Sequence, residues 1–168
     1  MEHTINLYTL SFREIKTYWT ALLFISGNIL LPQLCHLIPQ GGSMWLPIYF
    51  FTLIGAYKYG WKVGLLTALA SPLINSLLFG MPATAMLPII LTKSTLLALA
   101  AGFMAQRSHK VTLLNLLGVI LTYQLFGTLG EWALTGNLYT ALQDLRIGLP
   151  GIALQLFGGY LSLRIIGD

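Results

Sequence analysis

The chain alternates between long apolar runs and short segments rich in glycine, proline and charge. A helix needs about 20 mostly apolar residues to cross the hydrocarbon core of a bilayer. The runs have about this length, except the second, which is short for a span. The pattern therefore predicts six membrane-spanning helices, over residues 18–37, 45–57, 61–79, 84–104, 111–129 and 148–166.

The start of the chain is its most polar stretch. Residues 1–17 are predicted to form a cytoplasmic or interfacial segment, ahead of a single six-helix membrane domain over residues 18–168. Ser11 and Glu14 have capping-box spacing, which predicts that a helix begins near Phe12. The apolar residues that follow indicate an interfacial lead-in to the first span.

Composition decides the class of protein. Hydrophobic residues make up 56% of the chain and charged residues only 8%, whereas an ordinary soluble domain has about 25% charged residues. So few charges cannot cover a soluble surface, which excludes a soluble enzyme and a disordered chain. The basic residues are scattered rather than clustered, which excludes a nucleic-acid binder. The predicted fold class is an all-α integral membrane protein.

The positions of the basic residues predict the topology. With six spans, both termini lie on one side, the opposite side receives only Arg146, and Lys93 lies inside the fourth span. Because cytoplasmic loops carry the excess of Lys and Arg, both termini are predicted to be cytoplasmic. The basic residues on that side are Arg13, Lys16, Lys58, Lys62, Arg107, Lys110 and Arg164.

With that orientation, most polar side chains within the spans lie in the half nearer the outside. Such side chains are costly in a bilayer and need a reason. Their distribution predicts a polar cavity that opens outward, as capture of a solute would require. Hydrogen bonding between helices is the alternative role for Gln33, Asn75, Gln124 and Gln155, and hydrogen bonding near a lipid headgroup is the alternative for His36. The candidate binding residues are Gln33, His36, Asn75, Lys93, Gln124, Glu131 and Gln155.

Lys93 is the most informative single residue, because a lysine near the bilayer centre costs at least about 2.5 kcal/mol. It could anchor an anionic group of a solute, such as a carboxylate. It could instead form a structural ion pair with Glu131, or extend its side chain towards an interface. Trp45 lies near the predicted outer interface, where it could belong to an aromatic belt or stack on a ring-shaped solute.

The chain lacks three sequence motifs that are typical of hydrolytic enzymes and ATPases. It has no His-Glu-x-x-His helix, no Gly-x-Ser-x-Gly turn and no phosphate-binding loop. Cys35 is the one cysteine, which excludes an internal disulfide and a Cys-rich metal site. We therefore expect no enzyme activity, no catalytic residue, no metal and no cofactor.

Pairs of small residues mark close helix contacts in the third and fourth spans. Gly64 and Ala68 are four residues apart, as are Ala98 and Gly102. This spacing is typical of helix packing in membranes, either within the bundle or against a separate membrane partner.

Several segments together resemble the substrate-binding S component of energy-coupling factor (ECF) vitamin transporters. They are Leu46-Pro47-Ile48-Tyr49-Phe50-Phe51, then Gly55, Gly60 and Gly64, then residues 73–80, and the segment Arg146-Ile147-Gly148-Leu149-Pro150-Gly151. The resemblance covers residues 19–166 and implies an ECF S-component-like bundle of six helices. The family's Ala-xxx-Ala motif in helix 1 is not intact here, because Ile25 follows Ala21 at that spacing.

The resemblance implies a function and its partners. Such a protein captures a vitamin or related micronutrient from outside the bacterial cell (inner) membrane, and Lys93 favours a carboxylate-bearing one. It delivers the solute through a transmembrane T component driven by two cytoplasmic ATPases. By position, the family's pocket maps onto Lys93, Gln124, Glu131, Arg146, Gln155 and Trp45. The alternative is an envelope-assembly membrane scaffold that binds helices of other proteins and no solute.

Overall fold

Every regular element of the protein is helical over the residues that its structure, a computed structural model, describes, which are 6–167. This confirms the all-α prediction for that range. Residues 1–5 of the predicted N-terminal segment and Asp168 lie outside it. The helices are α1 (Ile15–Cys35), α2 (Gly41–Trp45), α3 (Phe50–Tyr59), α4 (Trp61–Phe79), α5 (Leu87–Ser108), α6 (Leu113–Thr135), α7 (Leu138–Ala141), α8 (Gln143–Arg146), α9 (Leu149–Ala153) and α10 (Gly159–Gly167).

Among residues 6–167, five helical segments are long and apolar enough to cross a membrane, which indicates a multi-pass membrane protein. A 3₁₀ turn, Thr84–Met86, extends α5 at its start, and a π-helical turn, Leu154–Gly158, joins α9 to α10. The five segments are Ile15–Cys35, Trp61–Phe79, Thr84–Ser108, Leu113–Thr135 and Leu149–Gly167.

The second predicted span is represented by a shorter helical segment. A 3₁₀ turn, Pro47–Tyr49, leads directly into the ten residues of α3. Leu46 has a left-handed backbone (φ 47°), which separates this segment from the short α2. Leu53 and Ala56 of α3 are fully buried, so the segment lies inside the bundle although it is shorter than the other long helices.

The chain enters α1 through a hydrogen-bonded turn. The backbone N–H of Ser11 donates to Glu14 Oε1 at 2.9 Å, as the capping-box spacing predicts. The helix nevertheless begins at Ile15, three residues later than predicted, because residues 11–14 form a turn of their own. Before this turn, the N–H of Tyr8 donates to the carbonyl of Lys58 at 2.8 Å and ties the segment to the end of α3.

Helix α1 turns a polar residue inward and apolar residues outward. Asn28 is 0% exposed, whereas Ile15 is 75% exposed. A large exposed apolar surface of this kind needs a partner, and lipid is the natural one for a chain with several spanning-length helices. The buried face carries Thr17, Ala21, Phe24, Asn28 and Pro32, and the exposed face carries Ile15, Trp19, Leu23, Leu30 and Leu34.

Small residues let the helices at the centre of the bundle approach closely. A Cβ atom added to Gly64 would overlap Ala56 of α3 and lie 3.2 Å from Cβ of Ala98 in α5. A Cβ atom added to Gly102 would lie 2.7 Å from Cα of Trp61. The small-residue pairs therefore pack within the bundle rather than form a free seam for another protein.

Candidate functional site

A cavity of about 270 Å³ lies at one end of the bundle, which we call the cavity end. There α1, α4 and α6 finish and α5 and α9 begin. Leu46, Pro47 and Ile48 form one apolar wall, and residues 81–90 form another. The volume is near the lower limit for small-molecule pockets, and a mostly apolar lining with a few polar groups is typical of them. The polar and charged lining residues are His36, Ser43, Tyr49, Asn75, Lys93, Glu131, Gln143 and Asp144.

A buried charged cluster forms part of the lining. Lys93 Nζ lies 2.5 Å from Glu131 Oε2 and 2.8 Å from Asp144 Oδ2. The side chains of Lys93 and Glu131 are 2% and 4% exposed, and that of Asp144 is 15% exposed. We call Lys93, Glu131 and Asp144 the charged triad. It joins α5, α6 and α8 at the cavity wall.

The structure resolves which partner Lys93 has. The ion pair with Glu131 that the sequence left as an alternative is present. Gly127 lies one turn before Glu131 in α6, and a Cβ atom added there would lie 2.6 Å from Lys93 Cγ. The absence of a side chain at Gly127 therefore gives the lysine stem its path to the two carboxylates.

Asn75 contributes an acceptor to the cavity. Its Nδ2 donates to the carbonyl of Asn28 at 2.9 Å and to that of Ser71 at 3.0 Å, so both of its N–H groups are engaged. Its Oδ1 accepts a hydrogen bond from Gln33 Nε2 at 3.4 Å. Because an amide oxygen has two lone pairs, Oδ1 keeps acceptor capacity.

His36 contributes a second acceptor. Its Nδ1 lies 2.6 Å from the carbonyl oxygen of Pro32. Since a carbonyl only accepts, Nδ1 carries the hydrogen, which assigns the Nδ1–H tautomer, and in that tautomer Nε2 is an acceptor. A Cβ atom added to Gly42 would lie 2.8 Å from Nε2, so Gly42 leaves room for the ring at the cavity wall.

Four of the nine predicted binding residues line the cavity: His36, Asn75, Lys93 and Glu131. Gln33 stands behind this lining and contacts it through Asn75. These predicted residues therefore lie together at the cavity end, and their role in binding stays a prediction.

Gln124 and Gln155 lie deeper in the bundle, outside the cavity lining. Gln124 Nε2 donates to the Tyr123 hydroxyl at 3.0 Å, and that hydroxyl donates to Gln155 Oε1 at 2.8 Å. These hydrogen bonds connect α6 to the π-helical turn. This is the interhelical role that the sequence left open as the alternative to solute binding. Ring packing of Tyr123 against Tyr49, with centroids 5.5 Å apart, connects this network to the cavity wall.

Trp45 and Arg146 lie at the cavity end but outside the lining. Arg146 is exposed, with its guanidinium 3.8 Å from the ring centroid of Tyr139 and its Nη2 donating to the Tyr139 hydroxyl at 2.6 Å. Trp45 ends α2 beside α9, where a Cβ atom added to Gly151 would meet the Trp45 backbone.

Comparisons of the chain with protein-family models, curated proteins and solved structures found no match. The resemblance to S components therefore rests on the sequence segments named above.

Asp144 and Tyr49 are lining residues that the sequence did not single out as candidates. Asp144 belongs to a polar segment after α6, but it reaches Lys93 across 51 positions, and no spacing rule connects the two. The one feature of the sequence that could have pointed to Asp144 is that acidic residues are rare in this chain, which has only five of them. Within residues 6–167, no group of three or more His, Cys, Asp or Glu side chains is placed to hold a metal ion.

Proposed function

We propose that the chain is the substrate-capture subunit of an ECF-type ABC importer in the bacterial cell (inner) membrane. It binds a vitamin or related micronutrient from outside and delivers it through a T component and two ATPases. The observation that carries this proposal is the small, mostly apolar cavity with a buried charged triad in its wall. Ionisable groups inside a membrane bundle mark solute pathways and binding sites.

The proposed topology has six spans with both termini inside, the short 3₁₀–α3 segment counting as the second. The path of the last helix supports it: Gly151 packs against Trp45, and further along Gly159 lies beside Leu53, so the last helix runs in the direction of α3. The cavity end then faces outward. The end that carries most of the basic residues faces the cytoplasm, as the positive-inside rule requires.

An envelope-assembly scaffold is the other class of function that the sequence left open. Such a scaffold binds partner helices through its lipid-facing surface and needs no cavity. A buried ion pair costs desolvation free energy that apolar packing avoids. A triad that lines a cavity is therefore better explained by a solute than by helix contacts alone.

The test is gentle affinity purification from the native membrane, followed by mass spectrometry of the copurified proteins and of any retained small molecule. We expect a T component, ATPases and a vitamin-sized molecule. The Asp144→Asn variant should retain much less of the small molecule and keep the proteins, and the Glu14→Gln variant in the exposed turn before α1 should keep both. Recovery of envelope-assembly proteins without a small molecule would overturn the proposal in favour of the scaffold.

A further inference from the structure

The charge balance of the cavity is negative. Three of its lining side chains form the charged triad, one lysine against two carboxylates. With all three ionised, the triad carries one negative charge more than positive. The Nδ1–H of His36 is engaged by the Pro32 carbonyl.

The hydrogen-bonding capacity of the lining points the same way. Lys93 directs two of its three N–H bonds to Glu131 and Asp144. Both N–H groups of Asn75 are engaged by carbonyls. What these residues leave uncommitted is one N–H of Lys93 and a larger set of acceptors, which are the remaining carboxylate lone pairs, Asn75 Oδ1 and, in the Nδ1–H tautomer, His36 Nε2. Tyr49, Ser43 and Gln143 can donate or accept.

An anionic solute fits this lining poorly. To reach Lys93 it would have to displace Asp144 or Glu131, and the displaced carboxylate would stay in a buried, apolar setting without its partner. A carboxylate in that position is strongly destabilised. A cationic solute displaces nothing, because it can bind the free lone pairs of the two carboxylates that already face the cavity.

We propose that the cavity selects a solute carrying a positively charged, hydrogen-bond-donating nitrogen group, bound by the carboxylate lone pairs of Asp144 and Glu131 that Lys93 does not engage. The group is a protonated amine, an amidinium or a cationic nitrogen ring. This inference rests on the proposed capture function and refines it. The expected charge of the solute is therefore opposite to the one that the sequence favours, because Lys93 is engaged by two carboxylates of the protein.

Asp144 is the residue that best tests the inference. It is the more exposed carboxylate of the triad, and Lys93 keeps Glu131 as a partner when the charge at Asp144 is removed. Asp144→Asn therefore makes the triad neutral at a tolerable cost to folding. Glu14→Gln is the matched control, because it removes one acidic charge from the exposed turn before α1.

The experiment measures thermal unfolding and equilibrium binding of the purified protein in phosphatidylcholine nanodiscs. One set of probes shares a pyridine ring and differs in charge: pyridoxamine, pyridoxine and 4-pyridoxic acid. Thiamine adds a second cation, riboflavin a second neutral compound, and biotin and lipoate two further anions. The comparison of charge classes on the wild-type protein does not depend on any variant folding.

We expect a cationic probe to bind and to stabilise the protein. We expect neutral and anionic probes to bind much more weakly. Affinity for that cation should fall about tenfold or more in Asp144→Asn, because a charged hydrogen bond is lost, and should not change in Glu14→Gln. If an anionic or neutral probe binds more tightly than every cation, the charge inference is wrong. The same holds if Asp144→Asn leaves the affinity for the cation unchanged. Neither result would contradict solute capture. A protein that unfolds cooperatively and is stabilised by no probe would count against capture itself.

Discussion

The aliphatic stem of Lys93 on α5 fills the space beside Gly127 on α6, where any other residue would place its side chain. A Cβ atom at Gly127 would lie 2.6 Å from Lys93 Cγ. The glycine thus acts at a distance from any solute, by letting the lysine ammonium reach the two carboxylates at the cavity wall.

This contact predicts the effect of adding one methyl group. Gly127→Ala should lower the free energy of unfolding by about 1–3 kcal/mol, the usual cost of overpacking. Gly130→Ala is the matched control on the same helix, because its added Cβ would meet only Thr92 Cγ2 at 3.8 Å. It should be neutral or slightly stabilising, since alanine favours a helix over glycine. Reversible unfolding in mixed micelles measures both, and equal effects would contradict the packing account.

The charged triad predicts a large loss when its one cation is removed. Lys93→Met leaves Glu131 and Asp144 buried together without a positive partner, which should cost about 3–5 kcal/mol of stability. The double variant Lys93→Met/Glu131→Gln should recover part of that loss, because only one carboxylate then remains charged. A double-mutant cycle on the unfolding free energies measures the coupling. Additive effects of the two substitutions would show that the pair does not interact as the structure describes.

The buried hydrogen bonds of Asn28 on α1 are a second group of contacts that we expect to stabilise the fold. Its Nδ2 donates to Thr52 Oγ1 at 3.0 Å, and its Oδ1 accepts from the backbone N–H of Phe51 at 3.2 Å. Asn28→Ala removes these bonds, together with a longer one to Ser71 Oγ at 3.4 Å, and leaves the Phe51 N–H without this acceptor, at an expected cost of about 1–3 kcal/mol.

The matched control for this prediction is Ser26→Ala on the same helix. Ser26 is exposed and its hydroxyl bonds only the carbonyl of Leu22 within α1. The change should stay within about 0.5 kcal/mol of the wild-type unfolding free energy. If both variants unfold alike, Asn28 does not hold α1 to the 3₁₀–α3 segment.

The sequence predicted the long helices well because their apolar runs are continuous, and its errors have physical causes. The fifth predicted span stops at residue 129, whereas α6 continues to Thr135. A more polar segment follows the apolar run from Glu131 onward. Glu131 instead stays in the helix and inside the bundle, because Lys93 neutralises it.

The site could be predicted only in part, for a related reason. Polarity inside an apolar span marks a residue as important but does not say what it faces. Gln124 and Gln155 were candidates together with Lys93, yet they bond each other through Tyr123. Asp144 completes the triad from a short helix outside the long apolar runs, and only the folded chain brings it to Lys93.

The proposed topology predicts opposite accessibility at the two ends of α5. In a Cys35→Ser background, Thr84→Cys lies just before the helix at the cavity end and Gln106→Cys near its other end; both positions are exposed. A membrane-impermeant maleimide added to intact cells should label Thr84→Cys. It should label Gln106→Cys only after the membrane is permeabilised. The reverse pattern would place the cavity end in the cytoplasm and contradict capture from outside.

The central claim is that the cavity holds one small solute against the charged triad. Native mass spectrometry of the protein, released from nanodiscs made directly from its own membrane, tests it most directly. The account predicts one small-molecule adduct per chain in the wild type and in Glu14→Gln, and a marked reduction of it in Asp144→Asn. A wild-type protein with no adduct, or an adduct that persists unchanged in Asp144→Asn, would contradict it.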